Sequence, residues 1–285
     1  MQTLEKISNR FWYQTPVSET DRPILGVVIG DKRTLMIDAG NSEAHARYFL
    51  SELEKNNIPE PSLVVLTHWH WDHIFGLSAL DMISIASKQT KDEMEKLVSF
   101  EWTDEALDER VKSGVEIEFC STAIKKEFGS ERNITITLPE VTFDKRIDID
   151  LGEVTCQIEH VGGDHAQDSV IVYIKEEKIL FLADAIYANL YSSKNNLTVK
   201  GTLQLLDKLD QFDAETYVLS HWKPVSKDEY QQEAKMLRNF ANLTEQFEGR
   251  FDDIKAAYQT IVNRDLNEDE LETLGYFVNG FELEN

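Results

Sequence analysis

The stretch THWHWDH, residues 67–73, is the most informative part of the chain. The apolar run SLVVL precedes it and another apolar run follows, so the stretch is predicted as the loop between a buried strand and a helix. His68 and His70 are two residues apart, and in an extended segment this spacing directs both imidazoles to one side. Asp72 and His73 stand at the predicted helix start and can face a second point. The stretch therefore predicts the beginning of a pair of metal sites.

Three further candidate ligands stand at the predicted ends of strands. His165 precedes a predicted strand, Asp184 follows the apolar run ILFLA, and His221 follows YVLS. A polar side chain directly beyond a buried strand is held by a rigid element and is exposed to a cleft. Each of these residues alone is better explained by a structural role. Together with the histidine-rich stretch they are predicted as ligands, and the set contains five of the seven histidines.

Hydrophobic periodicity predicts strands around these residues and helices elsewhere. The predicted strands are residues 10–15, 24–29, 34–37, 62–66, 82–86, 134–138, 146–151, 154–161, 169–174, 178–182 and 217–219. Those from 134 to 182 are expected to form an antiparallel meander, and helices are expected at about 42–55 and 72–80. We expect one domain over residues 1–226 with a helical insert at about 87–129, and a C-terminal helical extension, 227–285, packed on the same domain.

Composition limits the classes of partner. The 29 basic and 52 acidic residues give a net charge of −23, which repels a polynucleotide and favours a small, neutral or weakly charged substrate. No apolar window approaches the roughly 20 residues of a membrane span, and no secretory signal is recognisable. Cys120 and Cys156 lie far apart and are expected as reduced, partly buried thiols. These features predict a cytoplasmic protein without a membrane or nucleic-acid partner, and the acidic end of the tail is either a solvated face or a homodimer contact.

The order of the candidate ligands resembles the metallo-β-lactamase fold superfamily, and the resemblance runs from about residue 11 to 224. The family signature is His-x-His-x-Asp-His, then a single His, an Asp after a strand, and a late His. The matching residues are His68, His70, Asp72, His73, His165, Asp184 and His221. The resemblance implies an α/β fold: a four-layer αβ/βα sandwich of two mixed β-sheets with outer helices and a metal site at one edge. It also implies that Asp38 supports the site.

The chain departs from the family pattern around the third histidine. Where members usually read GHTPGS, this chain reads GDHAQDS from residue 163. Asp164 and Asp168 could each hydrogen-bond a ligand's second ring nitrogen or stabilise the loop. His160 is a rival to His165 for the position of the third ligand. Otherwise it is a surface or packed histidine, or a proton shuttle. Trp69 and Trp71 either wedge the loop against the core or stack on substrate.

The resemblance implies that His68, His70 and His165 bind one metal, that Asp72, His73 and His221 bind the other, and that Asp184 bridges them. Two divalent ions are expected, with Zn²⁺ as the default and Mn²⁺ or Fe²⁺ as alternatives, because nitrogen and oxygen ligands suit all three. Two such ions about 3.5–4 Å apart share a hydroxide at neutral pH.

The predicted catalytic residues are Asp72, Asp184 and Tyr187. Tyr187 matches a position where the related lactonases place an assisting tyrosine, although it could also be an ordinary buried aromatic residue. The predicted function is a dinuclear metal-dependent hydrolase whose metal-bridging hydroxide attacks a small ester, lactone or thioester. The alternatives are a small-molecule phosphodiesterase, a mononuclear iron persulfide dioxygenase and a non-catalytic, metal-stabilised binding protein.

Overall fold

The computed structural model describes residues 2–130 and 132–285. Its strands form two mixed β-sheets. The first sheet contains, in spatial order, β1 (Leu4–Lys6), β2 (Phe11–Gln14), β3 (Leu25–Ile29), β4 (Thr34–Ile37), β5 (Leu63–Val65), β6 (Ile83–Ser87) and β7 (Val141–Phe143). Strands β1 to β4 pair antiparallel, and β4 to β7 pair parallel.

The second sheet contains β8 (Arg146–Asp150), β9 (Thr155–His160), β10 (Val170–Ile174), β11 (Ile179–Ala183), β12 (Thr216–Leu219) and β13 (Val225–Ser226), with β8 at one edge and β13 at the other. Strands β8 to β11 form the predicted antiparallel meander from residue 146 onward, without the strand predicted at 134–138, and β12 then pairs parallel to β11. Each sheet therefore contains parallel neighbours whose carboxyl ends lie at the same edge.

Helices flank both sheets. They are α1 (Glu43–Lys55), α2 (Trp71–Ile74), α3 (Lys88–Leu97), α4 (Asp104–Ser113), α5 (Glu118–Phe128), α6 (Val199–Leu209), α7 (Lys227–Gln246), α8 (Phe251–Val262) and α9 (Glu268–Glu284). Ser42 caps α1 as predicted, and α7 and α9 each begin with a capping box that satisfies free backbone N–H groups. Among the described residues, none of the helices combines the length and the apolar composition that a membrane crossing requires.

Alternation along the strands sends the buried side chains of the described residues into three separate spaces. In β3, Val28 faces the space between the sheets, whereas Val27 faces the helices α1 and α3 to α5. In β10, Val172 faces the other sheet and Ile171 faces the helices α6 to α9. This period of two is the pattern of a strand with both faces covered. The order of layers is helix, sheet, sheet, helix, and the predicted four-layer sandwich is confirmed.

Two predicted elements are different in the structure. Residues 134–138 form no strand, because 141–143 take the position beside β6, and the apolar side chains of Ile134, Ile136 and Leu138 pack instead on the helix side of the first sheet. The predicted helix 72–80 is the short α2 followed by a 3₁₀ segment, Phe75–Ala79. A side chain at Gly76 would lie 2.0 Å from the carbonyl oxygen of Ala39, so the chain there packs directly on backbone.

Helix α9 docks on the segment that precedes α6. The backbone N–H of Leu197 donates to the carbonyl of Tyr276 over 3.0 Å, and Asn279 Nδ2 donates to the carbonyl of Asn195 over 2.8 Å. Gly280 allows this close approach, because a Cβ added there would lie 2.1 Å from the Leu197 carbonyl oxygen. Gly275, on the same helix, has no atom within 4 Å of such a Cβ.

This difference predicts opposite effects of the same substitution. Gly280→Ala should lower the free energy of unfolding by about 1–3 kcal/mol, since the new methyl group overpacks a backbone contact. Gly275→Ala is the matched control and should raise the free energy by up to about 1 kcal/mol through helix propensity alone. Urea unfolding of both variants in parallel measures the difference. Equal effects of the two substitutions would mean that α9 does not dock at Gly280.

Candidate metal centre

The candidate ligands come together because strands of both sheets have their carboxyl ends at the same edge of the sandwich. His68 follows β5 after Leu66 and Thr67, and Asp184 directly follows β11. His221 follows β12 after Ser220, and Asp38 directly follows β4. Strands β4 and β5 are parallel, as are β11 and β12, so each sheet delivers its polar residues at the carboxyl end of a neighbouring pair. The face-to-face packing of the sheets then brings the two sets together.

The predicted ligands form two groups of donor atoms among the described residues. The first group consists of His68, His70 and His165, and the second of Asp72, His73, Asp184 and His221. Within each group the donor atoms lie within 4.8 Å of one another. The structure thus brings all seven predicted residues together in the predicted grouping, and their role as metal ligands stays a prediction.

The Asp184 carboxylate lies between the two groups. Its Oδ2 atom is 3.1 Å from His73 Nε2 and 3.3 Å from His221 Nε2 in the second group. The same oxygen is 3.7 Å from His68 Nε2 and 3.5 Å from His165 Nε2 in the first. A single carboxylate oxygen therefore contacts both groups, which is the position that a bridging ligand needs.

Hydrogen bonds at Nδ1 orient three of the imidazoles with Nε2 towards the centre, and an ionic contact with Asp21 does so for a fourth. His165 Nδ1–H donates to the carbonyl of Ala188 over 3.0 Å, and His73 Nδ1–H donates to Asp38 over 2.8 Å. Nδ1 of His68 lies 3.2 Å from the hydroxyl oxygen of Thr67, and Nδ1 of His221 lies 3.5 Å from an Asp21 carboxylate oxygen. Fixing Nδ1 in this way leaves Nε2 as the donor atom, an arrangement typical of metal-binding histidines.

The geometry of the cluster fits divalent cations. Nε2 of His68, Nε2 of His165 and Oδ1 of Asp184 are buried atoms without a hydrogen-bond partner in the described part of the chain. A tetrahedral ion with ligands at about 2.0–2.2 Å holds those ligands about 3.3–3.6 Å apart. The contacts of Asp184 Oδ2 with the four imidazoles span 3.1 to 3.7 Å. Buried polar atoms are costly when unsatisfied, and a cation at each group would satisfy them.

The ionisation of the first donor group and of Asp184 also suits cations. Burial lowers the pKa of His68, His70 and His165, and neighbouring imidazoles lower that of His68 and His70 further, which favours the neutral form that binds metal. Burial raises the pKa of Asp184, but His221 and His73 outweigh it and hold this pKa well below its usual range. The carboxylate is therefore ionised.

The Asp38 carboxylate hydrogen-bonds both ends of the ligand loop, residues 67–73. Its carboxylate accepts hydrogen bonds from the backbone N–H of Thr67 over 2.7 Å, from the Thr67 hydroxyl over 2.9 Å and from His73 Nδ1–H. The backbone of Asp38 has a φ of 62°, a left-handed conformation that costs energy in a residue with a side chain. Ala183, directly before Asp184, has a φ of 50° at a register shift between β11 and β12. Local strain thus aims side chains at the centre from both sheets.

We expect Asp38→Asn to lower metal affinity about 10- to 100-fold, because the amide cannot match the charge-assisted hydrogen bond to His73 Nδ1–H. Competition with a chromogenic chelator measures the affinity. The matched control is Asp164→Asn, since the Asp164 carboxylate accepts from the backbone N–H and the hydroxyl of Thr198 rather than from an imidazole. A comparable loss of affinity in the control would contradict a specific role for Asp38.

Asp164, Asp168 and His160 all lie outside the two donor groups. Asp164 stabilises the start of α6 through Thr198, which decides between its two predicted roles. Asp168 is buried beside Thr90, and burial raises its pKa to about 7. His160 lies outside both donor groups, and its Nε2–H donates to the carbonyl of Gln167 over 2.8 Å. The rival to His165 is therefore not at the centre.

The three predicted aromatic residues lie around the centre, and the roles of Trp69 and Tyr187 stay predictions. Trp71 packs in the core against Phe75, with ring centroids 5.7 Å apart, and also borders the pocket described below. Trp69 stands edge-on to His70 at 4.7 Å. The ring centroid of Tyr187 lies 6.1 Å from that of His165 and 6.4 Å from that of His221. Burial raises the pKa of Tyr187, so its hydroxyl stays protonated.

Sequence reasoning missed three residues at the centre. Asp21 contacts His221 from a loop with a left-handed φ of 55°. Tyr191 packs on His70 with ring centroids 5.0 Å apart, and its hydroxyl donates to Glu116 of the insert over 3.0 Å. None of these residues stands near a ligand in the sequence, so periodicity and spacing carried no signal for them. Cys120 lies beside Tyr191, and both cysteines are buried free thiols as predicted.

The centre opens into a pocket of about 300 Å³, here called the metal pocket. Its walls combine ligands with aromatic and aliphatic side chains, and one side comes from the insert through Ile117, Phe119 and Cys120. Phe119 is 53% exposed at its mouth. The residues that line the metal pocket include no lysine or arginine. An apolar, partly enclosed pocket over a polar floor is the usual form of a small-molecule site.

Comparison with known proteins was made on sequence and on structure. A family model described as the metallo-beta-lactamase superfamily matches residues 20–221. The linear primary-alkylsulfatase of Pseudomonas sp. (strain ATCC 19151) is 24% identical over 234 residues, which are 72% of this chain and 42% of that protein. This chain therefore spans about two fifths of the length of that relative.

Solved structures share the fold. A stereoselective inverting sec-alkylsulfatase from Pseudomonas sp. superposes with a TM-score of 0.69 at 17% identity, over 99% of this chain and 49% of that one. A metallo-beta-lactamase from Pontibacter korlensis superposes with a TM-score of 0.59 at 20% identity, over 84% of this chain and 100% of that one. At these identities the likeness concerns the fold alone.

Proposed function

The chain belongs to the metallo-beta-lactamase superfamily, and on that premise we propose that it is a metal-dependent hydrolase of small, uncharged esters, lactones or thioesters. The observation that carries the proposal is the pair of donor groups joined by the Asp184 carboxylate and opening into the metal pocket.

The metals are proposed to be two divalent ions, zinc by default. His68, His70 and His165 would hold one, Asp72, His73 and His221 would hold the other, and Asp184 would contact both. Ions bound there would polarise the scissile carbonyl and lower the pKa of a coordinated water to about 7. No serine or cysteine nucleophile is then required.

Tyr187 is proposed to donate its hydroxyl hydrogen to the oxygen that becomes negative during attack. It lies between His165 and His221, one from each donor group, and the raised pKa keeps the proton on the hydroxyl. A fixed donor near the developing charge stabilises the transition state more than the ground state. Asp184 and Asp72 remain ionised and hold the imidazoles in position.

The charge of the site supports an uncharged substrate. The net charge of −23 and the absence of lysine and arginine from the lining of the metal pocket leave an anion nothing basic to bind among these side chains. Sulfate esters are the second candidate, because an alkylsulfatase is a relative by sequence and another by fold. The negative charge of a sulfate ester would have to be neutralised by the metals alone.

Replacement of Asp184 tests the proposal. Asp184→Asn should lose more than about 100-fold in kcat/KM towards an active ester or lactone, beyond the usual effect of an outer hydrogen-bond partner. Elemental analysis of protein purified without added metal should give about two equivalents per wild-type chain, and fewer in the variant. Asp213→Asn, a carboxylate on the surface paired with Lys178, is the control.

Unchanged activity of Asp184→Asn would mean that the hydrolysis belongs to a contaminant or to another site. One equivalent of iron would contradict the hydrolase and favour oxygen chemistry. Activity on alkyl sulfates alone, within a panel that includes esters, lactones and thioesters, would replace the first substrate class with the second.

Tyr187→Phe isolates the hydroxyl group. We expect kcat to fall about 100- to 1,000-fold with little change in KM, because removal of one oxyanion donor affects the transition state rather than binding. Steady-state kinetics on the best ester, with metal content measured on the same sample, separates this effect from loss of metal. A rise in KM with an unchanged kcat would indicate that Tyr187 only shapes the pocket.

A further inference from the structure

A second, larger concavity adjoins the metal pocket. It has a volume of about 930 Å³ and lies between the edge of the second sheet and the helices α7, α8 and α9; we call it the helical groove. Tyr187, Ala188, His221 and Tyr276 line both the metal pocket and the helical groove. The two cavities therefore meet along these four residues, and a molecule whose reactive group lies at the metal centre can reach the groove by passing over them.

The groove has an apolar floor. Leu219 ends a strand of the second sheet, Tyr230 and Leu237 come from α7, and Tyr258 comes from α8, and all four are buried. Met236 is partly buried on the same wall. Side chains of this kind bind methylene chains through area removed from water rather than through directed hydrogen bonds.

An exposed tryptophan stands at the rim. Trp222, directly after the ligand candidate His221, is 62% exposed and lines the groove. A large, mostly exposed aromatic side chain at the entrance to the groove adds apolar surface that a chain in the groove can contact. Its position extends the apolar surface outwards from the metal pocket.

The charges at the rim disfavour an anionic ligand. Lys223 lies 3.3 Å from Glu229, and Arg264 donates two hydrogen bonds of 2.7 Å to Glu270, so the two basic residues of the groove are already neutralised. Asp269 and Glu233 add negative charge on the same walls. A neutral chain fits this surface, and a carboxylate or sulfate at its far end does not.

The opposite side of the metal centre is unsuited to an apolar chain. A cleft of about 480 Å³ borders His70 and His165 there, and polar or acidic side chains such as Gln89, Asp92 and Glu93 line it. Burying methylene groups against these side chains would remove their water without replacing its hydrogen bonds. The helical groove is therefore the better place for an apolar group.

We propose that the helical groove binds the apolar chain of the substrate, so that the preferred substrates are uncharged esters with a long, unbranched acyl or alkyl group. This inference rests on the proposed ester hydrolysis and adds the substrate's shape to it. Trp222 and Met236 then determine specificity, because they line the groove beyond the reactive centre.

Binding without turnover provides the first test. Calorimetric titration with 1-decanol should show saturable binding at concentrations where 1-butanol shows none, since each buried methylene adds about fourfold in affinity. Met236→Trp places a larger side chain in the groove. It should weaken decanol binding at least about tenfold, which is less than the affinity that two buried methylenes contribute. Ile261→Trp is the matched control, because Ile261 is 52% exposed on α8 and does not line the groove.

Trp222→Ala is a second variant in case Met236→Trp does not fold, and it should weaken decanol binding severalfold by removing the rim. Decanol binding that is equal in wild type, Met236→Trp and Trp222→Ala would overturn the inference.

Turnover provides the second test. The ratio of kcat/KM for p-nitrophenyl decanoate to that for p-nitrophenyl butyrate should exceed about ten in the wild type. It should fall towards one in Met236→Trp and stay high in Ile261→Trp. Ester hydrolysis without chain-length preference would overturn the inference and leave the proposed function intact. Groove-dependent decanol binding without hydrolysis of any ester would support the groove and refute the ester chemistry.

Discussion

The contact on which the site depends is that of one carboxylate oxygen with four imidazoles. Oδ2 of Asp184 lies 3.1 to 3.7 Å from the Nε2 atoms of His68, His73, His165 and His221, and Asp184 is only 2% exposed. Polar and charged groups at this depth cost free energy unless each finds a partner in good geometry. The strands, loops and hydrogen bonds around Asp184 therefore have to hold five side chains within a few tenths of an ångström.

The sandwich meets this constraint with rigid elements. Residues from both sheets meet at the carboxyl ends of parallel strand pairs, so the backbone of neither sheet has to bend far to reach the centre. The remaining adjustment is made locally, at the left-handed residues Asp38 and Ala183. Asp38 also hydrogen-bonds both Thr67 and His73, so one buried carboxylate fixes the start and the end of the ligand loop. Such strain persists only where the surrounding packing determines it.

The sequence predicted what is encoded locally and missed what depends on distant contacts. Strand alternation located most of the strands, the family resemblance implied the sandwich, and the short spacing from His68 to His73 revealed the ligand loop. The same alternation at Ile134 to Leu138 was misleading, because it shows that one face is buried but not which segment takes the edge beside β6. Asp21 and Tyr191 act on His221 and His70 across long sequence separations, so spacing could not identify them.

The walls of the site come from segments outside this ligand framework. The insert reaches the centre through Glu116, which accepts a hydrogen bond from Tyr191, and α9 reaches it through Tyr276, which lines both the metal pocket and the helical groove. Neither segment contributes a donor atom to the two groups. Because donors and walls are separate, a change in the insert or in α9 can alter which molecule reaches the centre while the contacts of Asp184 stay as they are. On the proposed function, the ligand framework would determine the class of chemistry, and the two helical segments would determine the shape of the substrate.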